Sequence, residues 1–329
     1  MYDITFLGNA PVDVLIPTSE DILVKFGLKK GDWAPVSLET IQAVLAQLKE
    51  APKTIMPGGS AGNTAYGAAR LGSKVAFNGL VGADAMGKAY HKSLVEAGID
   101  MPAPVEGGKT LVIYVLITPD GERTFITTAE RVALGENGVN EPMIAQSKWL
   151  YIEGYLFDTE FQAVLKACHI ARKNGVKIAL TLAASFFIEQ HFSKIAMLVR
   201  DGIDLYICND EELLTLKNCE LSGEDNHHAA ETLARLRETP HLVTSGPDGA
   251  TLYTMAEKTF MPTTPVKKMV DATGAGDGFA AGFMHGYVRG MNPKTAINLG
   301  HSLAGRIIQQ MGGRLASGYS EILRHNSAA

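Results

Sequence analysis

Asp271-Ala272-Thr273-Gly274-Ala275-Gly276-Asp277-Gly278 gathers two carboxylates and three glycines in one short segment, a combination suited to phosphoryl transfer. Lys267 to Val270 ahead of it reads as the end of a strand, and Phe279 to Val288 behind it as an apolar helix. Glycines at 274, 276 and 278 free the backbone to take positive φ and leave no Cβ between a ligand and the amides. At a helix N-terminus such amides point outward and the macrodipole favours an anion. Gly274, Ala275 and Gly276 thus form a candidate anion hole for a phosphoryl group. Asp277 stands where an incoming phosphate would repel it. That cost makes sense if its carboxylate takes the proton from the hydroxyl being phosphorylated. Its helix position should keep it ionised. The competing reading of Asp277 is a helix cap.

A second glycine-rich segment, Gly58-Gly59-Ser60-Ala61-Gly62-Asn63-Thr64-Ala65, follows the same logic: its backbone can approach a polar ligand, and Asn63 both donates and accepts. In order and separation the two segments resemble the paired signatures of the PfkB family of ribokinase-like sugar and nucleoside kinases, across most of the chain. Asn209-Asp210-Glu211-Glu212 matches the family's Asn-x-x-Glu motif, and Thr244-Ser245-Gly246-Pro247-Asp248-Gly249 resembles its nucleotide-binding turn. Gly82 to Lys88 imitates the start of a P-loop, but Ala89 stands where a Ser or Thr should hold magnesium, so Lys88 reads as a solvated helix residue.

The resemblance implies ATP and magnesium as cofactors. Glu212, with Asn209, would organise magnesium through water, and Thr244, Gly246 and Gly249 would line the phosphates and ribose. A capping box is an equally valid reading of Asn209 and Glu212. Asn298 and His301, on a helix from Thr295 to Gln310, would face the adenine, with a core histidine as the alternative for His301. On the acceptor side the resemblance assigns Asn9, Asp13, Gly58, Gly59 and Asn63 to the hydroxyls of a polyol. Arg123 would reach in to neutralise phosphate charge, or else make a surface salt bridge. Family members often use potassium, and Asp271 is the residue that would bind it.

Elements that position these segments alternate along the chain. Ile4 to Gly8, Val75 to Phe77, Lys177 to Leu182, Leu205 to Cys208 and His241 to Thr244 read as strands. Ala61 to Leu71, Ala163 to Asn174, a stretch from about Glu211, and His228 to Leu236 read as helices. This βαβ rhythm predicts an α/β fold: a three-layer α/β/α sandwich around a mostly parallel sheet, with ligands beyond the carboxyl ends of the strands. Two stretches break the rhythm. One runs from Pro11 to Pro57. The other holds strands Leu111 to Thr118 and Arg123 to Thr127, joined by Pro119-Asp120-Gly121-Glu122, a hairpin signal. The resemblance makes parts of 11–57 and 109–128 a small β lid on a single ribokinase-like domain spanning 1–329, acting as a monomer or as a homodimer joined through the lid.

Composition sets the outer bounds. With 329 residues, 46% hydrophobic, the chain can bury a large core. A net charge of −5 argues against nucleic acid or an anionic membrane as partner. Met1-Tyr2-Asp3-Ile4 lacks the basic start of a signal peptide, and three scattered cysteines, Cys168, Cys208 and Cys219, suit a cytoplasmic enzyme.

Within the family the chain resembles adenosine-kinase-like members in Gly8-Asn9-Ala10-Pro11-Val12-Asp13, in Leu180 to Phe186 and around Gly300-His301. It departs from them at Ala272 and at Ala184-Ser185. The expectation is an ATP-dependent kinase acting on the hydroxymethyl group of a nucleoside or sugar, with Asp277 as base. A free-sugar kinase of the ribose, fructose or 2-keto-3-deoxygluconate type is the alternative, and a catalytically silent binding protein the third reading. A nucleoside needs an aromatic face for its base; Phe125, Tyr155, Phe186 and Phe187 are candidates. A dinucleotide-dependent dehydrogenase is rejected, because Gly8-Asn9-Ala10-Pro11 stands where G-x-G-x-x-G should follow the first strand.

Overall fold

The computed structural model describes residues 1–221 and 238–327; the helix expected from His228 to Leu236 lies outside them. In chain order the strands are β1 (Tyr2–Leu7), β2 (Val12–Pro17), β3 (Trp33–Pro35), β4 (Thr54–Pro57), β5 (Val75–Asn78), β6 (Val112–Ile117) and β7 (Arg123–Thr127). Then follow β8 (Ser147–Glu153), β9 (Lys177–Thr181), β10 (Leu205–Asn209), β11 (His241–Thr244), β12 (Ala250–Tyr253) and β13 (Lys258–Met261). They form an eight-stranded sheet, ordered β13-β12-β11-β10-β9-β8-β1-β5, and a five-stranded sheet, ordered β3-β7-β6-β2-β4. The large sheet is parallel except at its β12–β13 edge.

Strand alternation sends side chains to opposite faces, and the sequence supplies apolar residues for both. Along β8, Trp149 and Tyr151 enter one core while Leu150 and Ile152 enter the other. The first core is closed by Ala61 and Ala65 of the Ser60–Arg70 helix, Phe279 and Phe283 of the Ala275–Tyr287 helix, and Leu303 of the Pro293–Ile307 helix. The second is closed by the Phe161–Lys173 and Ser185–Gly202 helices through Val164, Ala167, Ile188 and Leu198. The result is the expected three-layer sandwich. Two of its helices approach closely enough to need glycine: a Cβ on Gly282 would lie 2.4 Å from the Leu299 carbonyl oxygen.

The small sheet hides one face under the Glu20–Lys25 and Leu38–Gln47 helices, where Val14, Ile16, Leu116 and Ile126 meet Leu23, Ile41 and Val44. Period-two alternation places Asp13, Arg123 and Phe125 on the other face. The hairpin of β6 and β7 forms as expected, with Gly121 at φ +86° in its turn. One expectation is corrected. Lys267 to Val270 is not a strand; the chain leaves β13 irregularly, with Met269 and Val270 exposed and Val270 N–H donating to the Ile308 carbonyl. Asp13 sits inside β2, paired to Met56 on one side and Ile113 on the other. Among the described residues no helix is long and apolar enough to cross a membrane.

Candidate active site

Asp277 lies in the first turn of the Ala275–Tyr287 helix, half-buried. Ser60 Oγ donates to its Oδ1 at 2.7 Å and Asn63 Nδ2 to its Oδ2 at 2.9 Å. The two glycine-rich segments, 214 residues apart at Asn63 and Asp277, therefore meet through one carboxylate. Burial pushes the Asp277 pKa up, against the pull of the Ser60 and Asn63 hydrogen bonds and of the Arg314 charge. A half-buried carboxylate with a raised pKa is a better proton acceptor than an exposed one.

Of the three glycines in this segment, Gly274 takes the positive φ, +74°, as the residue preceding the helix. Gly276 is exposed, with open space where a Cβ would stand; Gly278 packs on Ile307 instead. The N–H groups of Gly276 and Asp277 lie in the helix's first turn, where no residue four back in the helix can accept from them, whereas Ala275 N–H donates to the Ala272 carbonyl at 3.2 Å. Asp271 accepts from Thr273 N–H at 2.9 Å and Gly312 N–H at 3.0 Å. Arg123, from the small sheet, donates to Asp271 Oδ1 at 2.8 Å and also to Thr273 Oγ1. Burial alone would raise the Asp271 pKa; the backbone donors, Thr273 and Arg123 outweigh it and hold it at about 2. Arg123 thus ties the small sheet to the segment that carries Asp277 through a largely buried ion pair rather than a surface one.

Gly58 and Gly59 form the approach to the Ser60–Arg70 helix, and Gly59 needs its φ of +84°. A Cβ on Gly58 would lie 2.4 Å from the Asp13 carboxyl, so that carboxyl sits directly against the glycine. Burial lifts the Asp13 pKa to about 7, offset in part by Arg314 and reinforced by Asp277. Asn9 donates its backbone N–H to Glu153 Oε1 at 2.7 Å, and Ala61 donates to Glu153 Oε2 at 2.8 Å. Glu153 ends β8, is 1% exposed, and burial raises its pKa to about 7 despite those two donors. Sequence reasoning missed Glu153, Ser60 as an Asp277 partner, and Arg314, which donates to Asn63 Oδ1 at 2.9 Å. A carboxylate closing the apolar run Trp149 to Ile152 was the available signal for Glu153.

Asn209 and Glu212 stand at the end of β10 and form a reciprocal box: Glu212 N–H donates to Asn209 Oδ1 at 2.8 Å, while Asn209 N and Nδ2 donate to the Glu212 carboxylate at 3.1 and 3.0 Å. Glu212 is 8% exposed and burial raises its pKa. At the next strand end, Ser245 N–H closes on the Gly249 carbonyl at 2.8 Å, with Gly246 at φ +51° and Gly249 at φ +140°. Thr244 Oγ1 reaches the Cys208 carbonyl at 3.5 Å. Asn298 is half-buried on the Pro293–Ile307 helix. His301 hydrogen-bonds the Met261 carbonyl at 3.1 Å and packs 5.1 Å from the Phe279 ring, a satisfied histidine at the edge of the core. Between the two sheets, Phe187 meets Phe186 at 4.8 Å, Tyr155 at 5.0 Å and Trp33 of the small sheet at 6.4 Å. Among the described residues no three His, Cys, Asp or Glu side chains cluster closely enough to cage a metal ion.

A helix start with open N–H groups, a carboxylate beside it and a second sheet tied to the same segment through Arg123 is an arrangement suited to phosphoryl transfer to an alcohol group. The chain belongs to the pfkB family of carbohydrate kinases, which it matches over residues 21–317. It is 30% identical over 265 residues to a 5-dehydro-2-deoxygluconokinase of Lacticaseibacillus casei, covering 77% of this chain and 81% of that one. An adenosine kinase of Schizophyllum commune is 28% identical over 94% of this chain and 96% of its own. The crystal structure of adenosine kinase from Sinorhizobium meliloti superposes with a TM-score of 0.86 at 33% identity, covering 100% of this chain and 99% of that one.

Proposed function

We propose that the chain is an adenosine-kinase-type enzyme that transfers the γ-phosphoryl group of ATP to the hydroxymethyl group of a neutral nucleoside. The observation that carries this reading is the aromatic group Trp33, Tyr155, Phe186 and Phe187, in which Phe186 remains 44% exposed at the seam between the two sheets. An exposed ring at that seam suits a flat base attached to a ribose. The likeness to the Sinorhizobium meliloti adenosine kinase over the full chain supports it. The partial likeness to 5-dehydro-2-deoxygluconokinases keeps a sugar-acid acceptor as the second reading. Such an acceptor carries its own carboxylate and needs a cation. Arg123 is committed to Asp271 and Arg314 to Asn63.

In this mechanism Asp13, Gly58 and Asn63 orient the acceptor, and Asp277 takes the proton late, as the hydroxyl oxygen bonds to phosphorus. The first N–H groups of the Ala275–Tyr287 helix stabilise the charge on the transferred group. Thr244, Gly246 and Gly249 border the nucleotide, with Asn298 at its base. The donor set fits magnesium through water: each Glu212 oxygen accepts one protein hydrogen bond and keeps lone-pair capacity for a metal-bound water. Magnesium there would neutralise phosphate charge. Potassium fits poorly at Asp271, whose charge Arg123 already meets. The small sheet acts as a lid that keeps water from ATP. ADP release from Mg-ATP against adenosine, inosine, guanosine, cytidine, ribose, fructose and 2-keto-3-deoxygluconate tests the assignment. Turnover confined to the free sugars or the sugar acid would overturn the nucleoside reading. Asp277→Asn should lower turnover by about 10² or more with nucleotide binding kept; near-wild-type turnover would remove Asp277 as base.

A further inference from the structure

Gly312-Gly313-Arg314, after the Pro293–Ile307 helix, touches both glycine-rich segments. Gly312 N–H donates to Asp271 Oδ2, and a Cβ on Gly274 would fall 2.4 Å from Gly313 Cα. Arg314 donates through Nε to Asn63 Oδ1 at 2.9 Å, through Nη1 to Ser93 Oγ at 3.1 Å and through Nη2 towards the Gly58 carbonyl at 3.5 Å. Its guanidinium lies 5.2 Å from the Tyr66 ring centroid and 5.3 Å from that of Tyr90. A side chain held at so many points is fixed in orientation, and everything it fixes belongs to the first glycine segment or its support.

We propose that Arg314 is a positioning residue for phosphoryl transfer, locking the Asn63 amide so that its NH2 faces Asp277 and compensating the carboxylates of the acceptor pocket. The inference rests on Asp277 being the base. The two ends of an Asn amide are nearly equal in shape and opposite in hydrogen-bonding character. A guanidinium has no acceptor, so only Asn63 Oδ1 can face it, which turns Nδ2 to Asp277. Without that donor, a flipped amide would set its oxygen against the carboxylate. Charge adds a second role. The ionisable groups around Asp277 are Asp13 from β2, Glu153, Tyr151 and Tyr155 from β8 and the turn beyond it, and Arg314; Arg123 faces Asp13 from β7 but pairs with Asp271. Arg314 opposes protonation of both Asp13 and Asp277.

Two variants separate the roles, read through the pH profile of kcat/KM with Mg-ATP and the acceptor found above. Arg314→Gln keeps a donor and loses the charge. Its acid limb should move up by about one pH unit, with the KM for ATP unchanged. Arg314→Lys keeps the charge, but one ammonium cannot hold Asn63, Ser93 and Gly58 at once, so the Asn63 amide loses its fixed anchor; the limb should stay at the wild-type pH while kcat falls about tenfold. An acid limb for Arg314→Gln at the wild-type position, in protein with a native circular dichroism spectrum, overturns the charge role. Wild-type kcat in Arg314→Lys overturns the orienting role, and this arm still decides if Arg314→Gln does not fold. Asp277→Asn is run alongside. If it stays active, the base assignment fails; if it is inactive while both Arg314 variants match wild type, only the Arg314 proposal fails.

Discussion

Glu153→Gln separates what the buried carboxylate does for catalysis from what it costs in stability. Glu153 is 1% exposed, accepts from Asn9 and Ala61, and has its pKa lifted by burial from 4.5 to about 7. A carboxyl with a raised folded-state pKa contributes stability that is fully present below 4.5 and lost as pH rises through about 7. The shift of about 2.5 units corresponds to about 3 kcal/mol, at roughly 1.4 kcal/mol per unit. Gln resembles the protonated acid but points one N–H at a backbone donor, which costs about 1 kcal/mol at every pH. The variant should therefore be less stable than wild type by about 1 kcal/mol at pH 4, below the unfolded pKa, and more stable by about 2 kcal/mol at pH 8. Calorimetric melting would show the sign change as a few degrees in each direction, at about 2 °C per kcal/mol for a chain of this size. Turnover should meanwhile fall about tenfold, because Ala61 and hence Ser60 and Asn63 lose their anchor beside Asp277. A melting difference that keeps one sign and one size from pH 4 to 8 would refute the reasoning.

Arg123→Met should leave the small sheet free to open. Acceptor-independent ADP release should rise relative to acceptor-dependent release, and the acceptor KM should rise about tenfold, from loss of a partly buried ion pair. Coupled assays with and without acceptor check this. Replacing potassium by sodium should change turnover less than about twofold, since Arg123 meets the Asp271 charge without it. Far from the site, His285 is buried against Ser73 and Arg289, and burial followed by the Arg289 charge lowers its pKa to about 4. Its contribution to stability is full above 6.5 and is lost as pH falls towards 4. His285→Gln should flatten the acid side of the melting-temperature profile.

Much of the fold was legible because its pattern is local. The β8 residues alternate between two cores, and Gly175 ends its helix at φ +68° as a left-handed residue should. The glycine segments were legible for a related reason: a backbone that must pass within 3 Å of another group demands glycine by type, as Gly58 does against Asp13. What stayed hidden depends on contacts across the chain. Glu153 receives N–H groups from residues 144 and 92 positions away, and Arg314 reaches Asn63 across 251. No local window contains such information. The mistaken strand at Lys267 to Val270 came from an apolar pair that the fold leaves exposed, Met269 at 64% and Val270 at 46%.

The most direct test is to identify the product by mass spectrometry after incubating the wild type and Asp277→Asn with Mg-ATP and adenosine. The account predicts adenosine phosphorylated at its hydroxymethyl oxygen by the wild type, and product formation by the variant reduced about 10²-fold or more. Unmodified adenosine alongside a phosphorylated free sugar in a parallel reaction, or equal product from both proteins, would contradict it.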